Sequence, residues 1–371
     1  MRFTINRDDF LKALNIVSKP IPSKSFIASL VFIKLTLNDD GLNLVGSNET
    51  IAISTTILYN KNDKQIIRNF KPGAILVQGK YLVEIVRKLS GEELSFEAVD
   101  NSIVEIHDEK STFQLNSAKA EEYPEYDFNE SGIEFDISGI NLTLLVEQTS
   151  FAADTKGNRP MLTALNITGE KNKITALALD SARYSKKEIE ITTEANFVAN
   201  IPAKTINEII RMLDNANNIH IVVNDRKMFF KFNSTIIASN LLNGEFPNVK
   251  NIVPKTFNYF LEVNAQEFLD AIDRVSLLSN EKNTVRLTMS NDEVEISSTT
   301  NEVGSAKEKI NTFQYNGGHL EILFNGSFVI DAIRALKCED VVLQFIAEMK
   351  PFVVKNIKDD HIIELITPVR G

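Results

Sequence analysis

The sequence predicts an α+β protein of three similar domains in tandem, each with two helices packed on antiparallel sheets. Three features predict it: one amphipathic helix pattern that occurs three times, a second that occurs three times upstream of the first, and short alternating runs between them.

The downstream pattern begins at Lys80, Lys204 and Ser327. Its apolar sets are Leu82, Ile85, Val86 and Leu89, then Ile206, Ile209, Ile210 and Leu213, then Val329, Ala332, Ile333 and Leu336. Each follows the i, i+3, i+4, i+7 spacing of a helix that buries one face. Apolar runs at 75–77, 197–201 and 320–324 precede these helices as strands, and runs at 94–98, 219–223 and 341–345 follow them. The polar face repeats too. An acid (Glu84, Glu208, Asp331) and an arginine (Arg87, Arg211, Arg334) recur at fixed offsets, opposite the apolar stripe.

The upstream pattern is Phe10, Ala13, Leu14 and Val17, then Leu142, Leu145, Val146 and Thr149, then Phe268, Ala271, Ile272 and Val275. Each set follows a short strand, at 3–5, 135–137 or 261–263. The six helices are thus expected over 8–19, 80–88, 140–159, 204–214, 265–282 and 326–337. Between them, turn signals such as Asp40-Gly41 and Gly169-Glu170 separate strands, among them 42–45 and 294–297. Pro124 stands near the first boundary, and Gly244 and Pro247 near the second. The expected domains are 1–128, 129–253 and 254–371.

Composition narrows the function. Hydrophobic content of 43% suits buried cores, and no run reaches the length of a membrane span. The first ten residues alternate and carry charge, unlike a signal peptide. A lone cysteine, Cys338, suits a reducing cytoplasm. His107, His220, His319 and His361 are scattered without metal-ligand spacing, so neither a metal site nor a cofactor is expected. The formal net charge of −10 argues against a strongly basic nucleic-acid surface. The segments read as helices are nevertheless close to neutral, so the acid lies elsewhere.

Catalytic motifs are few. Residues 73–80 read Gly-Ala-Ile-Leu-Val-Gln-Gly-Lys between a strand and a helix. A phosphate-binding loop needs four residues between its glycines and Ser or Thr after the lysine, whereas here five intervene and Tyr81 follows. Asp180, Ser181 and Arg183 lack a nearby histidine to act as base. Asp39-Asp40 and Asp359-Asp360 read as solvated turns. No enzyme signature remains.

Several stretches resemble the beta subunit of bacterial DNA polymerase III, the beta sliding clamp family, over essentially the whole chain. They are Leu278-Ser-Asn-Glu-Lys282 followed by Val285-Arg286-Leu287, and Phe324-Asn325 followed by Ala335-Leu-Lys-Cys-Glu339. Asn243-Gly-Glu-Phe-Pro247, Ile201-Pro202 with Arg211-Met-Leu-Asp214, and the closing Pro368-Val369-Arg370 complete the set. The resemblance implies the DNA clamp fold and a head-to-tail homodimer that closes a ring, with helices inside and sheets outside. It implies a non-catalytic processivity factor in the cytoplasm, at the nucleoid and replication fork. Its partners are double-stranded DNA, held topologically and without sequence preference, the replicative polymerase, the clamp loader, and other polymerases and repair proteins carrying short apolar motifs. No membrane partner is implied.

The resemblance also assigns residues. Lys24, Lys156 and Arg159 match family positions that touch DNA, and the cations of the repeated polar helix face, Lys80, Arg87, Lys204 and Arg211, join them as DNA-contacting candidates; for Lys80 and Arg87 an ordinary ion-paired helix face accounts for the pattern equally well. The partner-peptide pocket would comprise Leu162, Leu179, Arg183, Tyr184, Pro247, Ile252, Asn325, Phe328, Met349, Leu365, Thr367, Pro368, Val369 and Arg370. Taken singly, Leu162, Leu179 and Leu365 fit any core. Phe113 and Leu115 would pack on Leu277 and Leu278 of a second chain. One stretch departs from the family: where Asp-Gly-His-Arg-Leu is usual, this chain reads Asp180-Ser-Ala-Arg-Tyr184, which predicts a reshaped pocket lobe. The competing readings are a nucleotide enzyme using Gly79 and Lys80, and a repeat scaffold unconnected with DNA.

Overall fold

The structure, a computed structural model, describes residues 1–61, 64–99, 102–129, 131–213, 217–249, 251–300 and 303–370. Its α-helices are α1 (Arg7–Val17), α2 (Gly79–Lys88), α3 (Gly139–Glu147), α4 (Ala203–Ile210), α5 (Ala265–Ser276) and α6 (Gly326–Leu336). Each buries the stripe its spacing predicts: Phe10, Leu14 and Val17 in α1, Phe268, Ile272 and Val275 in α5, Val329 and Ile333 in α6. Three starts share one chemical device. Asn6, Asn264 and Asn325 leave a strand with extended backbone, and their side chains accept from the N–H groups of Asp9, Glu267 and Phe328. An asparagine at this place satisfies one of the free donors of the first turn.

Helix ends depart from expectation. The run 140–159 is not one helix: α3 stops at Glu147, and short 3-10 turns follow at Ser150–Ala152 and Pro160–Thr163. The Thr149 hydroxyl donates to the Leu145 carbonyl, offering the backbone an alternative to a further turn. Gly157, at φ 73°, and Pro160 then exclude helix. Similarly α5 ends at Ser276 rather than 282, because Asn280 accepts from the N–H groups of Lys282 and Thr284 and builds a turn. Helix α4 ends at Ile210; Asp214, expected to close it, lies outside the described residues. Gly169 and Glu170 belong to strand Ala164–Glu170, and the reversal comes at Lys171, whose φ is 53°. Asp359, expected in a solvated turn, begins a strand and pairs with Lys187 at 2.6 Å.

Six strands make or flank the joins between repeats: β1 (Ile51–Ile57), β2 (Thr112–Ala118), β3 (Arg183–Glu190), β4 (Thr235–Asn240), β5 (Gly304–Ile310) and β6 (Asp359–Ile366). Compact packing divides the chain into one unit of residues 1–139 with 211–241, and another of 140–210 with 242–371. The division cuts through the middle repeat because two strand seams bind each half of it to a neighbouring repeat.

Within the first unit a 13-stranded sheet contains the seam of β1 with β4, antiparallel, with Ile53 opposite Ile237 and Thr55 opposite Thr235. Within the second, a nine-stranded sheet contains the seam of β3 with β6, antiparallel, with Tyr184 opposite Leu365 and Ser185 opposite Glu364. The third repeat's counterpart of β1 and β3 is β5, the outer strand of a four-stranded sheet. The first repeat's counterpart of β4 and β6 is β2. Its residues 112–116 pair with Ile103–His107 alone, among the described residues.

Candidate functional site

The chain reversal into β3 fixes the first wall of the site. Asp180 Oδ1 accepts from the N–H groups of Ala182 (2.7 Å) and Arg183 (2.9 Å), and Oδ2 accepts from Arg183 Nε at 3.2 Å. Asn48 does the same work before β1, accepting from Thr50 and Ile51. The Asp-x-x-Arg spacing therefore has a local role, a self-capped turn that also aims the arginine. That arginine reaches α6: its Nη1 donates to Asp331 Oδ2 at 2.8 Å, and its guanidinium stands 4.5 Å from the Phe328 ring centre and 5.5 Å from that of Phe151.

Alternation along β3 and β6 puts the neighbouring residues on the other sheet face. There Leu162, Leu179, Tyr184 and Leu365 form one buried cluster with Val353, lined by Leu177, Phe246, Val249, Val253, Phe257 and Ile363. Over it opens a groove of about 760 Å³ that Tyr184, Pro247, Val198 and Phe246 help to line. Polar Asn166, Lys186, Glu188 and Asn200 share that lining with the apolar side chains. Tyr184 is buried, which pushes its phenol up to about 12, with the charge of Glu188 adding to the effect.

The C-terminal tail is tied down rather than loose. Thr367 N–H donates to Ala182 O at 2.7 Å, and Val369 N–H donates to Leu323 O at 2.8 Å. Val369 and Arg370 line a second cleft of about 220 Å³ with Lys282, Arg286 and Leu323. Asn325 caps α6 through the Phe328 N–H and so positions the ring that stacks on Arg183. Two expected pocket residues stand apart. Ile252 and Met349 are exposed and belong to neither the cluster nor the two clefts. Val353, Phe246 and Val249 were not anticipated. Ile363 and Leu177 carried a signal, standing two residues from Leu365 and Leu179 on the same strand faces.

Family models for the N-terminal, central and C-terminal domains of the DNA polymerase III beta subunit match residues 1–127, 136–248 and 250–370. The chain belongs to the DNA polymerase III beta subunit family. It is 33% identical to the beta sliding clamp of Bacillus subtilis and 30% identical to that of Staphylococcus aureus; each match spans all of this chain and at least 99% of the relative. The solved sliding clamp of B. subtilis superposes with a TM-score of 0.96 at 32% identity, covering 100% of this chain and 99% of that one. The beta chain from Streptococcus pneumoniae gives 0.96 at 27% identity, with both chains covered fully.

The beta subunit family is non-catalytic, and the nucleotide-loop alternative fails on geometry as well. Residues Gly73–Gln78 form a strand with Ile75, Leu76 and Val77 buried, and Gly79 is buried at the start of α2, leaving no loop to wrap a phosphate. Among the described residues no group of three or more metal-ligating side chains occurs, and no helix is long and apolar enough to cross a membrane.

The basic residues named for DNA are exposed: Lys24, Lys80, Arg87, Lys156, Arg159, Lys204 and Arg211. Arg87 is paired with Glu84 and also donates to Asn15 at 3.4 Å, so part of its charge is spent within its own surface. Phe113 and Leu277 are exposed apolar side chains, the latter at 82%, while Leu115 and Leu278 are half-buried.

Proposed function

We infer that this beta subunit is a processivity clamp: a head-to-tail homodimer that encircles duplex DNA and tethers the replicative polymerase, the clamp loader and repair proteins. Its place is the cytoplasm, at the replication fork. The observation that carries the reading is the threefold seam logic. Repeats join by pairing the fourth strand of one with the last strand of the next, β1 with β4 and β3 with β6. The third such pair, β5 and β2, has no partner within the chain among the described residues, and exposed Phe113 and Leu277 belong to the two ends left over. Two chains joined through it make a closed cyclic dimer. Carrying the register of the internal seams across sets Ser305 opposite Leu115 of the second copy. The three domains are 1–128, 129–253 and 254–371, consistent with the repeat periodicity.

The cleft over Leu162, Leu179, Tyr184 and Leu365 takes a short apolar partner motif, with Pro247 in its lining; Arg183 supports it from the other sheet face, and Pro368 and Val369 continue the site along the tail, where Val369 lines the second cleft. Lys24, Lys156 and Arg159 with the helix cations Lys80, Arg87, Lys204 and Arg211 face the DNA, and their weak phosphate contacts permit sliding because topology, not affinity, retains the ring. The test is topological. Clamp-loader-assembled protein stays on nicked circular DNA through gel filtration and runs off once the circle is cut; equal retention on both forms overturns encirclement.

A further inference from the structure

Glu364 is buried in β6 between Ile362 and Ile366, which belong to the apolar core of the C-terminal repeat. Counted from the turn residues Asn48 and Asp180, the equivalent of its pair with Ser185 in the first seam is Ile53 with Ile237. The fold thus accepts two isoleucines there, and the carboxyl needs a separate explanation.

The contacts supply it through a count of protons. Ser185 Oγ lies 2.7 Å from the carbonyl oxygen of Gln148 and 2.8 Å from Glu364 Oε1. A hydroxyl has one proton to give, and a carbonyl oxygen only accepts. Ser185 therefore donates to Gln148, and the remaining short contact requires a proton on the carboxyl. An ionised Glu364 would instead press two acceptors together inside an apolar core. The surroundings are short of donors, not acceptors: Gln148 Nε2 already donates to Ala335 O at 2.7 Å, and Gln148 Oε1 has no partner.

Nor, among the described residues, is a neighbouring cation left over to hold an anion. On β3, Arg183 is divided between Asp180 and Asp331, and Lys187 is paired with Asp359. Beyond Gln148's neighbour Glu147 and the end of α6, Lys337 bonds Glu147. On the strand beside β6, Lys355 faces Asp360. Arg334 of α6 is exposed, as is His361 of β6 itself. Burial drives the Glu364 carboxyl well above the ordinary carboxylate range, with Ser185 and Arg183 opposing that shift.

We propose that Glu364 is held as a neutral carboxylic acid and is a positioning residue for the partner cleft. Its proton closes a chain from β6 through Ser185 of β3 to Gln148, and Gln148 continues it to α6. On the opposite sheet face the adjoining residues Tyr184 and Leu365 are the wall of the cleft, so the strap beneath sets the wall above. The positioning role rests on that cleft being the partner site.

Three measurements on the intact dimer test it. Infrared difference spectra between wild type and Glu364→Gln at neutral pH contain a carboxylic-acid carbonyl band; its absence overturns the neutral acid. A carboxyl with a raised folded-state pKa contributes stability fully below its unfolded value near 4.5 and loses it as pH rises toward the folded value. Wild type therefore loses thermal stability relative to Glu364→Gln as pH climbs from 4.5, whereas parallel curves overturn the proposal. For positioning, a fluorescent polymerase-tail peptide binds Glu364→Gln as it binds wild type, and binds Ser185→Ala about fivefold more weakly, the worth of one net hydrogen bond. Unchanged affinity in Ser185→Ala and in Glu364→Ala removes the positioning role. Failure of wild type to bind the peptide removes the cleft reading and the positioning role together, while the infrared band still decides the proton.

Discussion

Arg183 lies over the ring of Phe328 with its guanidinium 4.5 Å from the ring centre, and donates to Asp331 at 2.8 Å in the same pose. Arginine alone combines a flat cation for the ring with a fork for the carboxylate. Arg183→Lys keeps the charge and loses both geometries. Polymerase-tail peptide affinity is expected to fall by about 1–2 kcal/mol, roughly five- to thirtyfold, from the loss of the stack and fork. Fluorescence anisotropy reads this, and light scattering shows an unchanged dimer.

The tail makes a separate prediction. Val369 is fixed by its N–H bond to Leu323, and Pro368 limits the backbone just before it. Replacing both by alanine leaves that backbone bond available and strips the apolar side chains from the tail, including the one that lines the second cleft beside Leu323. Peptide binding weakens about tenfold, in line with loss of an apolar anchor at an interface, with melting temperature and dimer mass unchanged. Equal affinity in calorimetry removes the tail from the site.

Periodicity decides which elements are legible in the sequence. The stripes of α1, α2, α5 and α6 were legible because each buries one face against a sheet, and burial of one face is what a spacing of i, i+3, i+4, i+7 encodes. The end of α3 was not. Leu142, Leu145, Val146 and Thr149 continue the period past the true end, and the Thr149 hydroxyl bond that stops the helix leaves no trace in the apolar pattern. Leu179, Tyr184 and Leu365, which the resemblance names together, share one buried cluster. Val353 and Phe246 join them from strands and loops far along the chain, where only tertiary pairing decides. Ser185 and Glu364 were hidden for the same reason: each is unremarkable until the register sets them opposite each other.

The open edges of β2 and β5 carry a prediction of register. In a Cys338→Ser background, Leu115→Cys with Ser305→Cys is expected to cross-link two chains on oxidation, as the positions equivalent to Tyr184 and Leu365. Leu115→Cys with Lys309→Cys, displaced along β5, is expected not to. Non-reducing electrophoresis separates the outcomes, and cross-linking by the second pair alone places the seam in another register. Leu278→Asp, which sets a charge at the expected contact, converts the dimer to monomer in light scattering.

Acid acts on the same edge through Asp108, in the turn that leads from strand Ile103–His107 into β2. Its carboxylate accepts four backbone N–H bonds, from Lys110 (3.0 Å), Ser111 (2.7 Å), Ser90 (3.1 Å) and Gly91 (3.2 Å). The bond from Lys110 does most to lower the carboxyl from 3.8 to about 2; desolvation opposes it, and the bonds from Ser111, Gly91 and Ser90 add to the lowering. A depressed carboxyl contributes stability that is complete above its unfolded value and disappears as pH falls through its folded value. The window is therefore from 3.8 down to about 2. Asp108→Asn, which keeps the shape and removes the charge, melts lower than wild type at pH 7 and approaches it as the pH enters that window. Because the turn holds the hairpin bearing Phe113 and Leu115, the variant also dissociates into monomers at higher protein concentration than wild type at neutral pH. A melting difference that stays constant down to about pH 2 would show that the four N–H bonds do not depend on the charge they are placed to receive.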